Sequence, residues 1–196
     1  MRTHVDIVRE LLAGGCKWIQ VREKAMPDRL LYEQLLQCRS LCEAAEATLL
    51  VNDRVDLAWA SGSSGIHLGQ SDLDPRLARS LLGPACIIGR STCSVDQAVE
   101  ADADPHVDYV AIGPIFSTLS KIDSDPPVGL EGLRAVRQAV RKPLVAIGGI
   151  TGSSARDMLQ AGCDSVAVIS ALMCADNIAS QTAELLREVY SLSLPS

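Results

Sequence analysis

Short apolar runs alternate along this chain with longer segments in which apolar residues recur every three or four positions. Runs without polar alternation, such as residues 49–51, are typical of parallel strands covered on both faces, and the longer period indicates amphipathic helices. The pattern predicts strands at 17–24, 48–53, 65–68, 86–89, 109–112, 144–147 and 165–169. It predicts helices at 4–13, 27–46, 55–60, 74–82, 95–103, 130–140, 153–161 and 174–190.

Strict alternation of strand and helix predicts an α/β fold, either an open doubly wound sheet or a (β/α)8 TIM barrel. The series of strands favours the barrel, with the first strand missing. The chain has 196 residues, and about 200 is the lower end for such barrels. Since no linker interrupts the series, we expect one barrel domain over residues 1–196.

The missing strand has a cost that can be estimated. An open barrel would leave backbone donors and acceptors unpaired, at about 1 to 3 kcal/mol for each one buried. That is large against a total stability of about 5 to 15 kcal/mol. We therefore expect that Met1 is not the natural start, or that a neighbouring chain or water covers the gap.

Composition limits the partners. The net charge is -6, which argues against a general nucleic-acid or anionic membrane surface but leaves room for a local cationic pocket. No apolar stretch approaches the roughly 20 residues that span a bilayer. We expect a cytoplasmic protein with small phosphorylated partners, and the sequence leaves the oligomeric state open, a homodimer included.

The seven cysteines are odd in number and form no CxxC pair. This pattern favours buried, reduced thiols. Cys38 and Cys42 share a helix face, but a zinc site would need two more ligands that the sequence does not offer.

The strongest candidate for chemistry is the end of the strand at 48–53, where an apolar run stops on Asn52, Asp53 and Arg54. Ligands bind where parallel strands end, although an Asx turn is an alternative. Asp72 follows the next strand, and two carboxylates from adjacent loops suit a hard cation such as Mg²⁺. The alternative is that Asp72 or Asp74 begins the following helix.

Gln20, Arg22 and Lys24 alternate along the first predicted strand. On a covered strand, two inward cations need an anion to offset their desolvation, and a phosphate or pyrophosphate is the natural candidate. The alternative is an ordinary solvated face.

A second anion site is predicted at Gly148 and Gly149, together with residues 168–171 at the end of the last strand. In barrels these two loops often bind a phosphate through backbone N–H groups and a helix N-terminus. The polar loop at 113–128 is a candidate lid.

Two further residues have chemically reactive side chains. His67 is interpreted as a hydrogen-bonded strand residue rather than a base. Cys93 could be a nucleophile, but no neighbouring base activates it, which favours packing.

Several ordered motifs resemble those of the thiamine-phosphate synthase family, over the whole chain from His4 onward. They are Gln20-Val-Arg22-Glu-Lys24, Asn52-Asp53-Arg54, His67-Leu-Gly69-Gln70-Ser-Asp72, Gly113-Pro114-Ile-Phe116, Lys121, Ala146-Ile-Gly148-Gly149-Ile150 and Ile169-Ser170. The resemblance implies transfer of an aminopyrimidine methyl group from its pyrophosphate ester to the nitrogen of a thiazole phosphate, by a dissociative reaction. The products are thiamine phosphate and pyrophosphate.

The resemblance also implies roles for individual residues. It assigns one Mg²⁺ to Asp53 and Asp72, and it makes Arg22, Lys24 and Lys121 the groups that stabilise the leaving charge. It implies that the pyrimidine pyrophosphate contacts Gln20, Val21, Arg22, Glu23, Lys24, Asn52, Ser91 and Lys121. It implies that the thiazole phosphate contacts Thr118, Leu119, Ser120, Gly149, Ile169 and Ser170.

Departures from the family pattern are the missing first strand, Ser117 in place of proline, Ser120 in place of threonine and Cys93 in place of histidine. Ser120 keeps the hydroxyl, so we expect little loss there. Two alternatives are a thiazole tautomerase of the same fold and a non-catalytic phosphate-binding barrel. The retained Asp53 and Asp72 argue against both.

Overall fold

A computed structural model describes residues 2–118 and 125–190 of the chain. Its strands are β1 Trp18–Val21, β2 Thr48–Asn52, β3 Gly65–Leu68, β4 Ile87–Thr92, β5 Tyr109–Ile112, β6 Leu144–Ile147 and β7 Ser165–Ala167. Its helices are α1 His4–Ala13, α2 Asp28–Ala44, α3 Val55–Ser61, α4 Pro75–Leu82, α5 Val95–Ala103, α6 Gly129–Ala139, α7 Gly152–Gln160, α8 Ser170–Met173 and α9 Ile178–Tyr190. The predicted alternation of strands and helices is confirmed.

The first of two compact units runs up to Gly89 and includes Asn177–Ala183. Its strands β1, β2 and β3 pair in parallel and in chain order, with Val21 opposite Val51 and Asn52 opposite His67. All four residues of β3 are buried, as expected of a strand covered on both faces. This register brings the carboxyl ends of β2 and β3 side by side.

The second unit contains Arg90–Asp176 and the residues from Glu184 onward. Here β5, β6 and β7 also pair in parallel and in chain order, with Ile112 opposite Ala146. Strand β5 is fully buried, whereas β7 is partly exposed. The carboxyl ends of β6 and β7 carry the two loops of the second predicted anion site, and the predicted lid follows β5.

The closing helix differs from its prediction. The helix predicted over 174–190 begins later, at Ile178 of α9, and the one-turn α8 occupies Ser170–Met173, where no helix was predicted. Asn177 begins α9, because its side-chain oxygen accepts the backbone N–H of Ser180 at 2.8 Å. This cap lies inside the segment that the apolar period had joined into one helix.

The seven cysteines are all reduced thiols, as predicted. Their predicted burial is only partly right: Cys38, Cys42 and Cys163 are buried, but Cys174 is exposed. The remaining three, Cys16, Cys86 and Cys93, are partly buried. Within the described ranges, no three Cys, His, Asp or Glu side chains gather in a group that could hold a metal.

Among the helices within residues 2–118 and 125–190, none is long and apolar enough to cross a bilayer. The expectation about Met1 and the missing strand stays a prediction, as does the single domain.

Candidate active site

Asp53 occupies a tight turn directly after β2. Its φ of 61° lies in the left-handed region, which costs about 1 to 3 kcal/mol in a residue other than glycine. The turn is closed by the Arg54 N–H, which donates to the Asn52 carbonyl at 2.7 Å, and the Asp53 N–H donates to the His67 carbonyl at 2.9 Å. Two backbone hydrogen bonds therefore fix Asp53 in this conformation at the carboxyl end of β2.

The Asp53 carboxylate contacts two charged side chains. One is Lys24, whose ammonium donates to Oδ2, and the other is Asp72, at hydrogen-bonding distance. Because like-charged carboxylates tolerate such an approach only with a proton or a cation between them, the pair fits a divalent ion. Mg²⁺ takes one or two protein carboxylates, so this donor set is sufficient.

The pKa values of the two carboxyls move in opposite directions. Burial and the facing Asp53 raise the pKa of Asp72 above its ordinary value. Partial burial also raises the pKa of Asp53, but the hydrogen bonds from Asp72 and Lys24 and the charge of Arg22 lower it by more. Asp53 is therefore the more persistent anion of the pair.

The structure shows which of the two aspartates caps α4, while the metal role of Asp72 stays a prediction. Asp74 is the cap of α4, since its side chain accepts the Arg76 N–H at 2.9 Å. Asp72 instead accepts the Gly69 N–H at 2.6 Å through Oδ2. A side chain at Gly69 would lie 3.0 Å from that oxygen, so glycine allows the close approach.

The segment after β1 corrects one prediction. The strand ends at Val21, so Arg22 and Lys24 lie in a loop and only Gln20 is on the strand. All three side chains are exposed, so the expected desolvation of these cations is wrong. Their charge and donors, rather than relief of burial, favour an anion.

Glu23 organises this loop. Its Oε1 accepts the backbone N–H groups of Lys24 at 2.8 Å, Ala25 at 2.7 Å and Met26 at 3.2 Å. These three hydrogen bonds, of which the one from Ala25 has the largest effect, lower the pKa of Glu23, although burial acts in the opposite direction. His4 lies 3.5 Å from the other oxygen. Sequence reasoning missed this turn, whose signal is an acidic residue just before the three N–H donors.

In the second unit, the loop after β6 packs against the segment after β5. Gly148 and Gly149 have φ values of 99° and 67°. A side chain at Gly149 would lie 2.7 Å from Phe116 Cβ and 2.8 Å from the Ser117 carbonyl oxygen. The Phe116 N–H donates to the Gly148 carbonyl at 3.0 Å, which fixes the two segments to each other.

The other predicted residues of this unit are partly placed. Ser91 lies within β4, which ends at Thr92, and there the Thr92 carbonyl accepts the Gly113 N–H at 3.0 Å while its buried hydroxyl donates to the Ala111 carbonyl at 3.0 Å. Ile169 is exposed, and Ser170 begins α8. Thr118 is the last residue before a gap, and Leu119, Ser120 and Lys121 lie outside the described residues.

His67 and Cys93 are not organised as a base and a nucleophile. His67 is buried within β3, as predicted. The Cys93 thiol donates to Gln97 Oε1 at 3.3 Å, and burial followed by the charge of Asp125 raises its pKa. A protonated thiol is a poor nucleophile, which supports the packing interpretation.

Strand-end carboxylates beside cations, and a glycine loop that exposes backbone, define an α/β enzyme of the class that handles phosphorylated molecules. A family model described as thiamine monophosphate synthase matches residues 1–172. The chain belongs to this family of transferases, the thiamine-phosphate synthases.

Individual relatives agree with the family model. The chain is 47% identical over 190 residues to the thiamine-phosphate synthase of Moorella thermoacetica, covering 97% of this chain and 90% of the relative. It is 50% identical over 175 residues to that of Koribacter versatilis, covering 88% and 81%.

A solved structure, the thiamine phosphate pyrophosphorylase of Pyrococcus furiosus, matches with a TM-score of 0.89 and 39% identity, covering 97% of this chain and 91% of that one. The predicted α/β fold class, of the TIM-barrel type, is confirmed.

Proposed function

We propose that this chain condenses 4-amino-2-methyl-5-(diphosphooxymethyl)pyrimidine with thiazole phosphate, using one Mg²⁺ per site, to give thiamine phosphate and pyrophosphate. Membership in the family supports the reaction. The observation that carries the site is the facing pair Asp53 and Asp72 beside Lys24. Asp53 and Asp72 would hold the metal, which supplies charge neutralisation to the leaving pyrophosphate.

The first unit would hold the pyrophosphate. Arg22 and Lys24 are exposed cations on a loop fixed by Glu23, and charge-assisted bonds to phosphate are the strongest available to them. Lys24 bonds a metal-ligand oxygen in the present structure, so metal binding would release its ammonium for the pyrophosphate. Within the first unit, the same proposal assigns pyrophosphate or pyrimidine contacts to Gln20, Val21 and Asn52. The contacts that the family resemblance implies for Ser91 and Lys121 stay predictions, because Ser91 belongs to the second unit and Lys121 lies outside the described residues.

The second unit would hold the thiazole phosphate. Gly149 presents backbone at a point where a side chain cannot fit, and phosphate recognition by backbone N–H groups needs such an approach. Ile169 and Ser170 bound the neighbouring loop after β7. Thr118, Leu119 and Ser120 complete the proposed set.

The proposed chemistry breaks the bond between the methylene carbon and the pyrophosphate oxygen, which takes the electron pair. The carbocation left behind is stabilised by the pyrimidine, and the thiazole nitrogen forms the new bond to it. The residues position both substrates and stabilise the leaving charge, and no general base is required. This agrees with a buried His67 and a protonated Cys93.

We also propose a reducing, cytoplasmic location, which seven reduced thiols support. A homodimer is a further proposal. Analytical ultracentrifugation of the purified protein would test it by measuring the sedimenting mass.

The reaction is tested by incubating the protein with both substrates, with and without Mg²⁺, and measuring thiamine phosphate and pyrophosphate. We expect product only with the metal, and a loss of about 10³-fold or more for Asp53→Asn. Glu46→Gln is the matched control, because Glu46 is an exposed carboxylate that also has a positive φ, of 51°. It should keep full activity.

Other outcomes identify the alternatives. Tautomerised thiazole without condensation would identify an isomerase. Tight binding of both substrates without turnover would identify a non-catalytic barrel. An Asp53→Asn variant as active as wild type would refute the assignment of the metal ligand.

A further inference from the structure

Arg54 follows the metal-ligand candidate Asp53 directly, and sequence reasoning gave it no role. Its guanidinium makes a two-pronged contact with Asp28, at 2.6 Å from Nη1 and 3.0 Å from Nη2. It makes a second such contact with Asp56, at 2.9 Å from Nε and 2.6 Å from Nη2. We call these three residues the Arg54 clamp.

The clamp joins three elements next to the site. Asp28 is the first residue of α2, and Asp56 is the second residue of α3. The segment that ends at Asp28 is the loop that carries Lys24, whose ammonium bonds Asp53. Both sides of the contact between Lys24 and Asp53 are thus connected to one guanidinium.

The clamp also holds a backbone conformation that is unfavourable by itself. Asp53 has a φ of 61°, and its N–H is held by the His67 carbonyl on β3. On its other side, the chain is held by Arg54, through the turn to Asn52 and through the clamp. The carboxylate of Asp53 is therefore aimed by fixed neighbours on both sides.

Global stability does not account for this arrangement. The side chains of Arg54, Asp28 and Asp56 are 36%, 67% and 63% exposed. Exposed ion pairs contribute little to folding, so a purely structural clamp would have little effect when removed. A clamp that aims a ligand would have a local effect instead, on the metal.

We propose that the Arg54 clamp is a positioning device for the divalent cation, which keeps Asp53 in its left-handed turn with its carboxylate directed at Asp72. Arg54 touches neither metal nor substrate in this proposal. The inference rests on the proposed function, because it takes the Mg²⁺ site of Asp53 and Asp72 as given.

The test measures Mg²⁺ binding in the presence of pyrophosphate by calorimetry, without turnover. Arg54→Gln should weaken Mg²⁺ binding by about 10- to 100-fold, the usual effect of losing a residue that orients a ligand. Arg54→Lys should be nearly as weak, since an ammonium cannot form two forked contacts. Asp28→Asn combined with Arg54→Gln should add little to the single variant, because both break one unit.

The matched control is Arg29→Gln. Arg29 is an exposed arginine beside Asp28 that pairs with Glu33 at 3.1 Å, so its removal changes the net charge equally. The Arg29→Gln variant should bind Mg²⁺ with the same affinity as the wild type. Melting temperatures of the metal-free variants should stay within about 3 °C of wild type. In the synthase assay, the half-saturating Mg²⁺ concentration should rise while kcat at saturating Mg²⁺ changes little.

The outcomes separate this inference from the proposed function. Wild-type protein that binds no Mg²⁺ would overturn both. Wild-type binding with an Arg54→Gln variant of equal affinity, or one no weaker than Arg29→Gln, would overturn the clamp alone. A melting temperature of metal-free Arg54→Gln that falls by clearly more than about 3 °C would show a structural role instead. That result would also overturn the proposed positioning role of the clamp.

Discussion

The two candidate sites are built from different materials. In the first unit, the site consists of side chains that contact one another: Asp53 bonds Lys24 and faces Asp72. In the second unit, it consists of backbone held close to backbone, with Gly149 against Phe116 and Ser117. A side-chain site can be altered by removing atoms, whereas a backbone site is altered by adding them.

The difference has a chemical reason. A hard cation and a leaving pyrophosphate require full charges, which only side chains supply. A phosphate monoester can be held by N–H groups, which every residue except proline has, provided that nothing blocks their approach. Charge therefore characterises the first site, and the absence of a side chain characterises the second.

Adding a methyl group at Gly149 should give the largest effect on stability. Gly149→Ala introduces a strained φ and an overlap with Phe116, at about 1 to 2 kcal/mol for the strain and about 1 to 3 kcal/mol for the overlap. We expect urea unfolding to show both losses. Calorimetry should show weaker binding of thiazole phosphate.

Gly129→Ala is the control for that comparison. Gly129 has nearly the same φ, 68°, but a side chain there would meet nothing within 4 Å. It should lose only the strain, about 1 to 2 kcal/mol. Equal losses for the two variants would mean that close packing contributes nothing at Gly149.

The fold was largely predictable from sequence, because its information is periodic. Short apolar runs predicted β3, β5 and β6 with the same bounds that the structure shows. Errors arose where local hydrogen bonds mark the end of an element: Glu23 accepts backbone N–H groups just after β1, the Thr92 carbonyl accepts the Gly113 N–H at the end of β4, and Asn177 caps α9. Such local hydrogen bonds leave no periodic trace.

The candidate site was predictable in a different way. Strand ends indicated Asp53 and Asp72 as neighbours, since parallel strands align their carboxyl ends. The choice between Asp72 and Asp74 as helix cap needed coordinates, because both precede α4. The Arg54 clamp could not be predicted either, since Asp28 lies 26 positions away along the chain.

Removing one charge from the first site should raise the stability of the metal-free protein. Asp72→Asn relieves the repulsion with Asp53 and can keep the bond to the Gly69 N–H, so we expect a gain of about 0.5 to 1 kcal/mol at pH 7. This corresponds to a melting temperature about 1 to 4 °C higher. With Mg²⁺ and pyrophosphate the order should reverse, because only the wild type binds the ion well.

Asp74→Asn is the matched control for charge at this position. Asparagine caps a helix about as well as aspartate, so its melting temperature should be unchanged with or without Mg²⁺. If Asp72→Asn lowered the melting temperature of the metal-free protein, Asp53 and Asp72 would not repel each other. Electrostatic repulsion would then no longer distinguish the first site from the second.

The smallest effect is expected at a carboxylate of the second unit that does not face another one. Asp102 Oδ1 accepts the backbone N–H groups of Arg141 at 2.9 Å and Lys142 at 2.8 Å. Partial burial raises the pKa of Asp102, but these bonds to Lys142 and Arg141 lower it by more. Its contribution is therefore present above the unfolded value of 3.8 and is lost as pH falls through the lower folded value.

Asp102→Asn should thus cost about 0.5 to 1 kcal/mol at pH 7, at the low end for a bond to a charged group because the side chain is partly exposed. The difference from wild type, measured by urea unfolding, should shrink toward zero as pH falls below 3.8. Asp157→Asn, at an exposed carboxylate on α7, is the matched control and should change the free energy of unfolding by less than about 0.5 kcal/mol at pH 7. A difference that grew in acid would mean that Asp102 is opposed by its surroundings, as Asp72 is. Carboxylate repulsion would then no longer distinguish the first site from the second unit.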